Sequence, residues 1–211
     1  MRTATPTGWH FARPALAESH LQTLDLGLVS AIALHARRRM GKTEFLTKDL
    51  SPAAHERGYV VGCCNLWQED QNPLDAIAEA ITVASEPKHL LGKVRARSKK
   101  PVSMLKISAK AGGLAEGSAE LGFKDSETAR VAILRSAFAA FDKSGNKGLL
   151  LIDEAQVLAD KSHRSLERAL RALLDTRKDG LKVIFTGSSE DRLRTMFGAE
   201  NKAFYNWAVR E

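Results

Sequence analysis

The residues from Ala36 to Thr43 read ARRRMGKT, which follows the pattern G-x-x-x-x-G-K-[ST] of a phosphate-binding loop except at its first position. In that pattern Lys42 reaches the β- and γ-phosphates of a nucleotide, and the Thr43 hydroxyl ligates Mg²⁺. Ala36 stands where the pattern has glycine. Alanine is unfavourable there if the position needs a positive φ angle, and acceptable if it needs only a small side chain.

The segments on either side of this loop fit the motif. Leu28–His35 is mostly apolar, which predicts a buried strand, and a helix is predicted from Lys42 toward Pro52. Backbone N–H groups around Gly41 and the positive end of the helix both favour anionic oxygens. We therefore predict that the loop and the start of the helix bind nucleotide phosphates, through Ala36, Arg37, Arg38, Arg39, Met40, Gly41, Lys42, Thr43 and Glu44.

A second group of reactive residues ends the apolar segment Gly148–Ile152, where Asp153 and Glu154 follow directly. An aspartate at the carboxyl end of a strand can hold Mg²⁺, directly or through water. A neighbouring glutamate can orient and deprotonate the water that attacks a phosphate. A buried strand ending in two solvated acids is the alternative. Because the pair lies downstream of Gly-Lys-Thr, we interpret Asp153 as a metal ligand and Glu154 as the catalytic base.

The third group is Thr186-Gly187-Ser188-Ser189, which follows the apolar segment Leu181–Phe185. A polar side chain at this point is expected to lie near the γ-phosphate of a nucleotide bound at a neighbouring strand end. Ser188 is the first candidate for this catalytic role and Thr186 the second. A Ser/Gly turn that caps the next helix is an equally open interpretation, and one residue can do both.

The composition is that of an ordinary globular protein of 211 residues, most simply one domain, with 44% apolar and 27% charged residues. No apolar segment reaches the ~20 residues that a membrane span needs. The N-terminus lacks the apolar core of a signal peptide, so the expected location is the cytoplasm. Cys63 and Cys64 are adjacent, which disfavours a structural disulfide, and no Cys/His spacing suggests zinc.

The net charge of +7 comes from one segment. Seven basic residues between Lys93 and Lys110 have no acidic residue among them, and the other 25 basic residues balance the 25 acidic ones. A concentrated patch of this kind could neutralise several phosphates of a polyanionic partner. No aromatic residue interleaves with the patch, so the expected binding is strongly salt-dependent and reads little sequence. The alternative interpretation is that this segment is a solvent-exposed surface loop with no binding role.

We divide the chain into an N-terminal arm, residues 1–13, and a core, residues 14–211. Residues 87–124 form a basic, Gly- and Ala-rich insertion in the core. Strands and helices alternate through the rest of the core. This alternation predicts an α/β fold with a parallel sheet covered by helices on both faces.

Taken together, ARRRMGKT, LLLIDEAQ and VIFTGSS resemble the AAA+ class of P-loop ATPases, above all its initiator-like and archaeal-type families, over residues 14–207. The resemblance implies a three-layer P-loop NTPase sandwich with a mainly parallel sheet, and ATP and Mg²⁺ as cofactors. The resemblance implies that Lys42 and Thr43 are the Walker A residues. It implies that Asp153 and Glu154 are the Walker B pair, and that the first sensor is Ser188 or Thr186.

Members of this class take an arginine from a neighbouring subunit to stabilise the transition state. The resemblance therefore implies a homo-oligomer, with Arg194 or Arg192 as the catalytic arginine. A solvated basic helix face is the alternative interpretation of both residues. The chain departs from the class at Ala36, and it ends at Glu211 before a fifth core strand and a helical lid. We therefore expect a sheet that is incomplete at its C-terminal end, with the strand before the phosphate loop at the edge.

The leading hypothesis is an ATP-binding protein that hydrolyses ATP with Mg²⁺ to drive a conformational change. ATP is preferred to GTP because no N-K-x-D base-recognition segment follows a strand. Two alternatives stay open. One is a nucleic-acid-binding module that uses Lys93–Lys110 to bind DNA. The other is a nucleotide switch or scaffold that hydrolyses little.

Overall fold

The computed structural model describes residues 10–67, 72–85 and 127–210. Most of the arm, the whole insertion and the basic patch lie outside these residues, so the predictions made for them stay predictions. Within the described ranges, no helix has both the length and the apolar character to cross a membrane.

A five-stranded parallel sheet forms the centre of the fold, in the order β2-β3-β4-β1-β5. All pairings are parallel, so the carboxyl ends of the strands meet at one edge of the sheet. The strands are β1 (Ala31–His35), β2 (Val60–Asn65), β3 (Gly148–Asp153), β4 (Leu181–Gly187) and β5 (Val209–Arg210).

The helices connect these strands and cover both faces of the sheet. The helix after the phosphate loop has three consecutive parts, and its middle part is a π-helix, Phe45–Leu50, that ends just before Pro52. In the described parts of the chain the α-helices are α1 (Pro14–Asp25), α2 (Lys42–Glu44), α3 (Ser51–Glu56), α4 (Pro73–Ser85), α5 (Glu127–Ser144), α6 (Arg164–Asp175) and α7 (Glu190–Gly198), and 3₁₀-helices span Ala155–Ala159 and Lys161–His163.

Two hydrophobic cores lie on opposite faces of the sheet. One packs α4 to α7 against alternate residues of the strands, and the other packs α1 and the helix after the phosphate loop against the remaining ones. Neighbouring residues of β3 show the division, because Leu150 belongs to the first core and Leu151 to the second. The three-layer α/β fold with a parallel sheet is therefore confirmed.

The fifth strand corrects one expectation. Val209 and Arg210 pair with Ile32 and Ala33, so β1 lies between β4 and β5 and not at the sheet edge. The expectation was wrong because two exposed residues are too short a segment to show as a strand in the sequence. The preceding turn positions β5, since the Trp207 ring packs 6.0 Å from Phe185 in the first core.

Helix α4 approaches β2 closely at a glycine. A Cβ atom on Gly62 would overlap the Ala80 carbonyl group, whereas a Cβ on Gly180 would meet no atom within 4 Å. The contact therefore depends on glycine at position 62.

We expect Gly62→Ala to lower the free energy of unfolding by about 1–3 kcal/mol, because the added methyl group must push the α4 backbone away. Gly180→Ala is the matched control, with an expected change within about 0.5 kcal/mol. Urea denaturation followed by circular dichroism measures both. Equal stability of the two variants would contradict the close packing of α4 on β2.

One carboxylate, that of Asp25, joins the end of α1 to the start of two strands. It accepts hydrogen bonds from Tyr59 Oη at 2.7 Å, from Lys147 Nζ at 2.7 Å and from Arg57. Burial acts to raise the pKa of Asp25, but these hydrogen bonds outweigh it and lower the pKa from 3.8 to about 2.

A carboxylate with a lowered pKa stabilises the fold above its unfolded-state pKa, and this contribution is lost as the pH falls from 3.8 to about 2. We therefore expect Asp25→Asn to reduce the free energy of unfolding by about 1 kcal/mol near neutral pH, allowing for solvent screening. The difference from the wild type should shrink through this window when urea denaturation is repeated at falling pH. A difference that stays constant down to the lowest pH would mean that the Asp25 charge is not its source.

Candidate nucleotide-binding site

The phosphate loop joins the end of β1 to α2 at the carboxyl edge of the sheet. Gly41 has φ 71° and precedes the first residue of α2 in the left-handed conformation, where glycine is favoured. Among the described non-glycine residues, only Arg39, Glu154 and Asn206 have positive φ angles. Ala36 therefore does not need the left-handed conformation, and alanine at the first motif position carries no backbone penalty.

The Lys42 side chain lies against the beginning of the same loop. Its ammonium group donates to the Ala36 carbonyl oxygen at 2.8 Å and to the Arg37 carbonyl oxygen at 3.2 Å. These two bonds close the loop and hold the positive charge on its concave side. A lysine held in this way can bind phosphate oxygens as a point charge.

The Asp153 carboxylate connects three parts of the site. It accepts hydrogen bonds from Thr43 Oγ1 at 2.5 Å, from Thr186 Oγ1 at 2.5 Å and from the Glu154 backbone N–H at 2.9 Å. Asp153 is only 3% exposed to solvent. The end of β3 is thereby joined to the phosphate-loop helix on one side and to β4 on the other.

Thr43 and Asp153 are the described residues that suit a divalent cation. Mg²⁺ prefers oxygen ligands, and proteins usually supply one or two carboxylates while phosphates and water fill the other positions. A hydroxyl and a carboxylate in direct contact beside a phosphate loop fit that donor set.

Glu154 has an unusual backbone and a fixed side chain. Its φ of 55° and ψ of 40° are left-handed, a conformation that costs a residue with a Cβ about 1 kcal/mol. Its Oε2 accepts hydrogen bonds from Ser188 Oγ at 2.8 Å and from Gln156 Nε2. Gln156 Nε2 also lies 3.3 Å from Ser188 Oγ, so the three side chains form one network.

A cavity of about 330 Å³ lies between the phosphate loop and Glu154. Charged and polar residues predominate in its lining. The residues that line it are Arg38, Arg39, Gly41, Lys42, Thr43, Glu44, Trp67 and Glu154.

Seven of the residues predicted from the sequence line this cavity, and the others do not. Ala36, Arg37 and Met40 do not line it, although their carbonyl oxygens hold the loop in shape. Thr186 and Ser188 reach the site through the carboxylates of Asp153 and Glu154.

Arg194 lies elsewhere. It donates to Glu190 at 2.8 Å and borders a second cavity of about 550 Å³, together with His35 and Arg210. A role for Arg194 in phosphate chemistry therefore requires another copy of the chain.

Three residues at the site were missed by the sequence interpretation. Trp67 comes just after a strand, at the carboxyl edge where the reactive groups of a parallel sheet gather, and that position was an available signal. Gln156 stands two residues after the acidic pair, where its polarity could have been noticed. Arg13 offered no signal, because its contact with the phosphate loop exists only in the tertiary structure.

The comparisons with known proteins concern the fold alone. No protein-family model matches the chain. No curated protein matches it. Among solved structures it is similar to a Walker-type ATPase of Pyrococcus abyssi, with 16% identity, a TM-score of 0.53, and 94% of this chain and 52% of the other covered.

Two further solved structures are similar. The ORC2 protein of Aeropyrum pernix has 17% identity, a TM-score of 0.49, and coverage of 93% and 45%. Cdc6p from Pyrobaculum aerophilum has 16% identity, a TM-score of 0.45, and coverage of 94% and 45%. The chain thus spans about half the length of the structures it matches. The resemblance to AAA+ P-loop ATPases is confirmed as a likeness of fold.

Arg13, just before α1, ties the N-terminal residues to the phosphate loop. Its guanidinium donates to the Gly41 carbonyl oxygen at 2.7 Å and to the Met40 carbonyl oxygen at 3.2 Å, and lies 5.0 Å over the Phe45 ring. These contacts hold the loop in the conformation that forms the cavity.

We expect Arg13→Ala to increase amide hydrogen exchange in residues 40–46 at least about fivefold, since the loss of even one hydrogen bond costs about 1 kcal/mol of local stability. Hydrogen–deuterium exchange with mass spectrometry measures the change. Arg135→Ala, an exposed position on α5, is the control and should exchange like the wild type in this peptide. Unchanged protection in Arg13→Ala would mean that the loop holds its conformation without this contact.

Proposed function

We propose that this chain binds ATP with Mg²⁺ and hydrolyses it to ADP and inorganic phosphate, and that the cycle drives a conformational change. The contact that carries the proposal is the 2.5 Å hydrogen bond between Thr43 and Asp153. It joins the phosphate loop to the acidic end of β3, residues that are 110 positions apart in the sequence. Lys42 and Glu154 both line the cavity beside this contact.

Each residue has a role that its chemistry supports. Lys42 binds the β- and γ-phosphate oxygens. Thr43 and Asp153 would hold Mg²⁺, which would neutralise phosphate charge. Glu154 orients the attacking water and accepts its proton. The hydrogen bonds from Ser188 and Gln156 fix the direction of the Glu154 carboxylate.

The reaction balances with these groups alone. The water oxygen bonds to the γ-phosphorus, and its proton passes to Glu154. The bond from the γ-phosphorus to the bridging oxygen breaks, and ADP leaves with the electron pair. The proton on Glu154 then returns to solvent, so that one ATP and one water give ADP, inorganic phosphate and a proton.

ATP is proposed over GTP on two grounds. The sequence has no N-K-x-D segment after a strand, and the solved structure of similar fold from Pyrococcus abyssi is described as a Walker-type ATPase. A homo-oligomer in which Arg194 serves a neighbouring subunit also stays a proposal, as does DNA binding by the basic patch of Lys93–Lys110.

Two substitutions separate hydrolysis from binding. We expect Lys42→Ala to lose ATP binding and turnover, because the phosphates lose their main cation. Glu154→Gln should bind ATP normally but turn over about a hundredfold or more slowly, because the amide cannot accept the proton. Phosphate release and calorimetric ATP binding measure the two effects.

Glu200→Gln, at an exposed position outside the site, is the control and should behave like the wild type. Turnover that survives in Lys42→Ala would show that the activity belongs to another protein in the sample. Wild-type protein that binds Mg²⁺ and ATP without turnover would favour the nucleotide switch over the hydrolase.

A further inference from the structure

We propose that Arg38 stabilises the transition state of ATP hydrolysis from within the same chain, and that Trp67 positions its guanidinium. Arg38 is thus assigned as a catalytic residue and Trp67 as a positioning residue. The inference rests on the proposed function, and it deepens the description of the same site.

The first observation is where Arg38 lies. Its guanidinium carbon is 4.4 Å from the centre of the Trp67 ring, and both residues line the cavity that also contains Lys42, Thr43 and Glu154. Arg38 belongs to the loop after β1, and Trp67 follows β2. In the sheet, β3 and β4 lie between β2 and β1. The contact between Arg38 and Trp67 therefore joins segments on opposite sides of β4 and β3, and β3 is the strand that ends in the acidic pair.

The second observation is how the guanidinium is held. A guanidinium over an aromatic ring is attracted to the face of the ring. The five N–H groups of the guanidinium point outward in the plane of the guanidinium itself. Within the described residues, no hydrogen bond or ion pair engages the Arg38 guanidinium, so the stack is the contact that orients it. Its N–H groups can donate to phosphate oxygens without any existing bond being broken.

The third observation is that the segment carrying Trp67 is hydrogen-bonded to the strand that ends in the acidic pair. The Trp67 backbone N–H donates to Asn65 Oδ1 at 2.8 Å, and the Leu66 N–H donates to the Asp153 carbonyl oxygen at 3.0 Å. Asn65 is also paired with Asp153 in the sheet. The backbone that carries Trp67 is thereby joined to Asp153, the candidate metal ligand, and so to Glu154, the next residue.

The other arginines near the loop are less suited to this role. Arg13 donates to two loop carbonyl oxygens, and Arg194 is paired with Glu190 beside the second cavity. Arg37 does not line the phosphate cavity. Arg39 does line it, but no described aromatic ring orients its guanidinium.

The chemical role follows from the charge that develops in the reaction. As the γ-phosphoryl group separates from ADP, negative charge spreads over its equatorial oxygens and the leaving oxygen. A guanidinium that is already oriented stabilises this charge with no reorganisation cost. An arginine that contacts the transferred group in this way contributes about 10³- to 10⁵-fold to turnover in other phosphoryl-transfer proteins.

The kinetic test compares variants of the full chain. We expect Arg38→Ala to lower kcat about a hundredfold or more, with the Kd for ATP changed less than about threefold. Arg38→Lys should recover little, because the compact ammonium neither stacks nor donates in a plane. Arg135→Ala removes the same charge from an exposed position on α5, outside the site, and should leave kcat within about threefold of the wild type.

The positioning role of Trp67 has its own variants. Trp67→Leu should lower kcat about tenfold at unchanged ATP affinity, and Trp67→Phe should restore most of it, because phenylalanine keeps an aromatic face. If Trp67 has a purely structural role, Trp67→Leu should lower the free energy of unfolding. It should then not lower kcat selectively while the Kd for ATP stays unchanged.

A binding measurement tests Arg38 without turnover. ADP with Mg²⁺ and aluminium fluoride resembles the transferred phosphoryl group, and calorimetry measures its binding. We expect the wild type and Arg135→Ala to bind ADP at least about tenfold more tightly when aluminium fluoride is present. Arg38→Ala should lose this gain while it binds ADP alone normally.

The outcomes separate the two proposals. If the wild type hydrolyses no ATP, the proposed function fails, and the role of Arg38 fails with it. If the wild type is active but Arg38→Ala retains its kcat and the aluminium fluoride effect, only the role of Arg38 is overturned. If Arg38→Ala weakens the binding of ATP as much as turnover, Arg38 is a ground-state binding residue and the inference is wrong.

Discussion

The hydrogen bonds accepted by the buried Asp153 carboxylate hold the functional edge of this protein together. Thr43 donates from the phosphate-loop helix, Thr186 donates from β4, and the Glu154 backbone donates from the turn after β3. A buried carboxylate is costly to leave unpaired, so each donor stabilises the arrangement of the other two. The same contacts place the candidate metal ligands and the candidate base around one cavity.

The parallel sheet makes this convergence possible. Because every strand runs in the same direction, the loops after β1, β2, β3 and β4 all emerge at one edge, and each contributes to the site. The short strand β5 contributes by covering the free side of β1, which would otherwise expose unpaired backbone groups next to the phosphate loop. A two-residue strand therefore protects the strand on which the loop depends.

Two side chains at the cavity are oriented before any ligand arrives, and by different means. Glu154 is held in a left-handed turn by hydrogen bonds from Ser188 and Gln156. Arg38 is held by the face of the Trp67 ring. Hydrogen bonds fix the direction of an acceptor, whereas stacking leaves the donors of a guanidinium available. The two arrangements therefore suit the proposed roles of Glu154 as the base that activates water and of Arg38 as the cation that stabilises developing negative charge.

The sequence by itself determined the α/β fold, the phosphate loop and the acidic pair, because these features depend on local patterns: apolar segments of strand length, and Gly-Lys-Thr at a strand–helix junction. Tertiary structure alone decided that β5 covers β1, that Arg38 meets Trp67, and that Arg194 faces a different cavity. Those contacts join residues far apart in the chain. Their geometry follows from sheet order and helix packing, which no local pattern encodes.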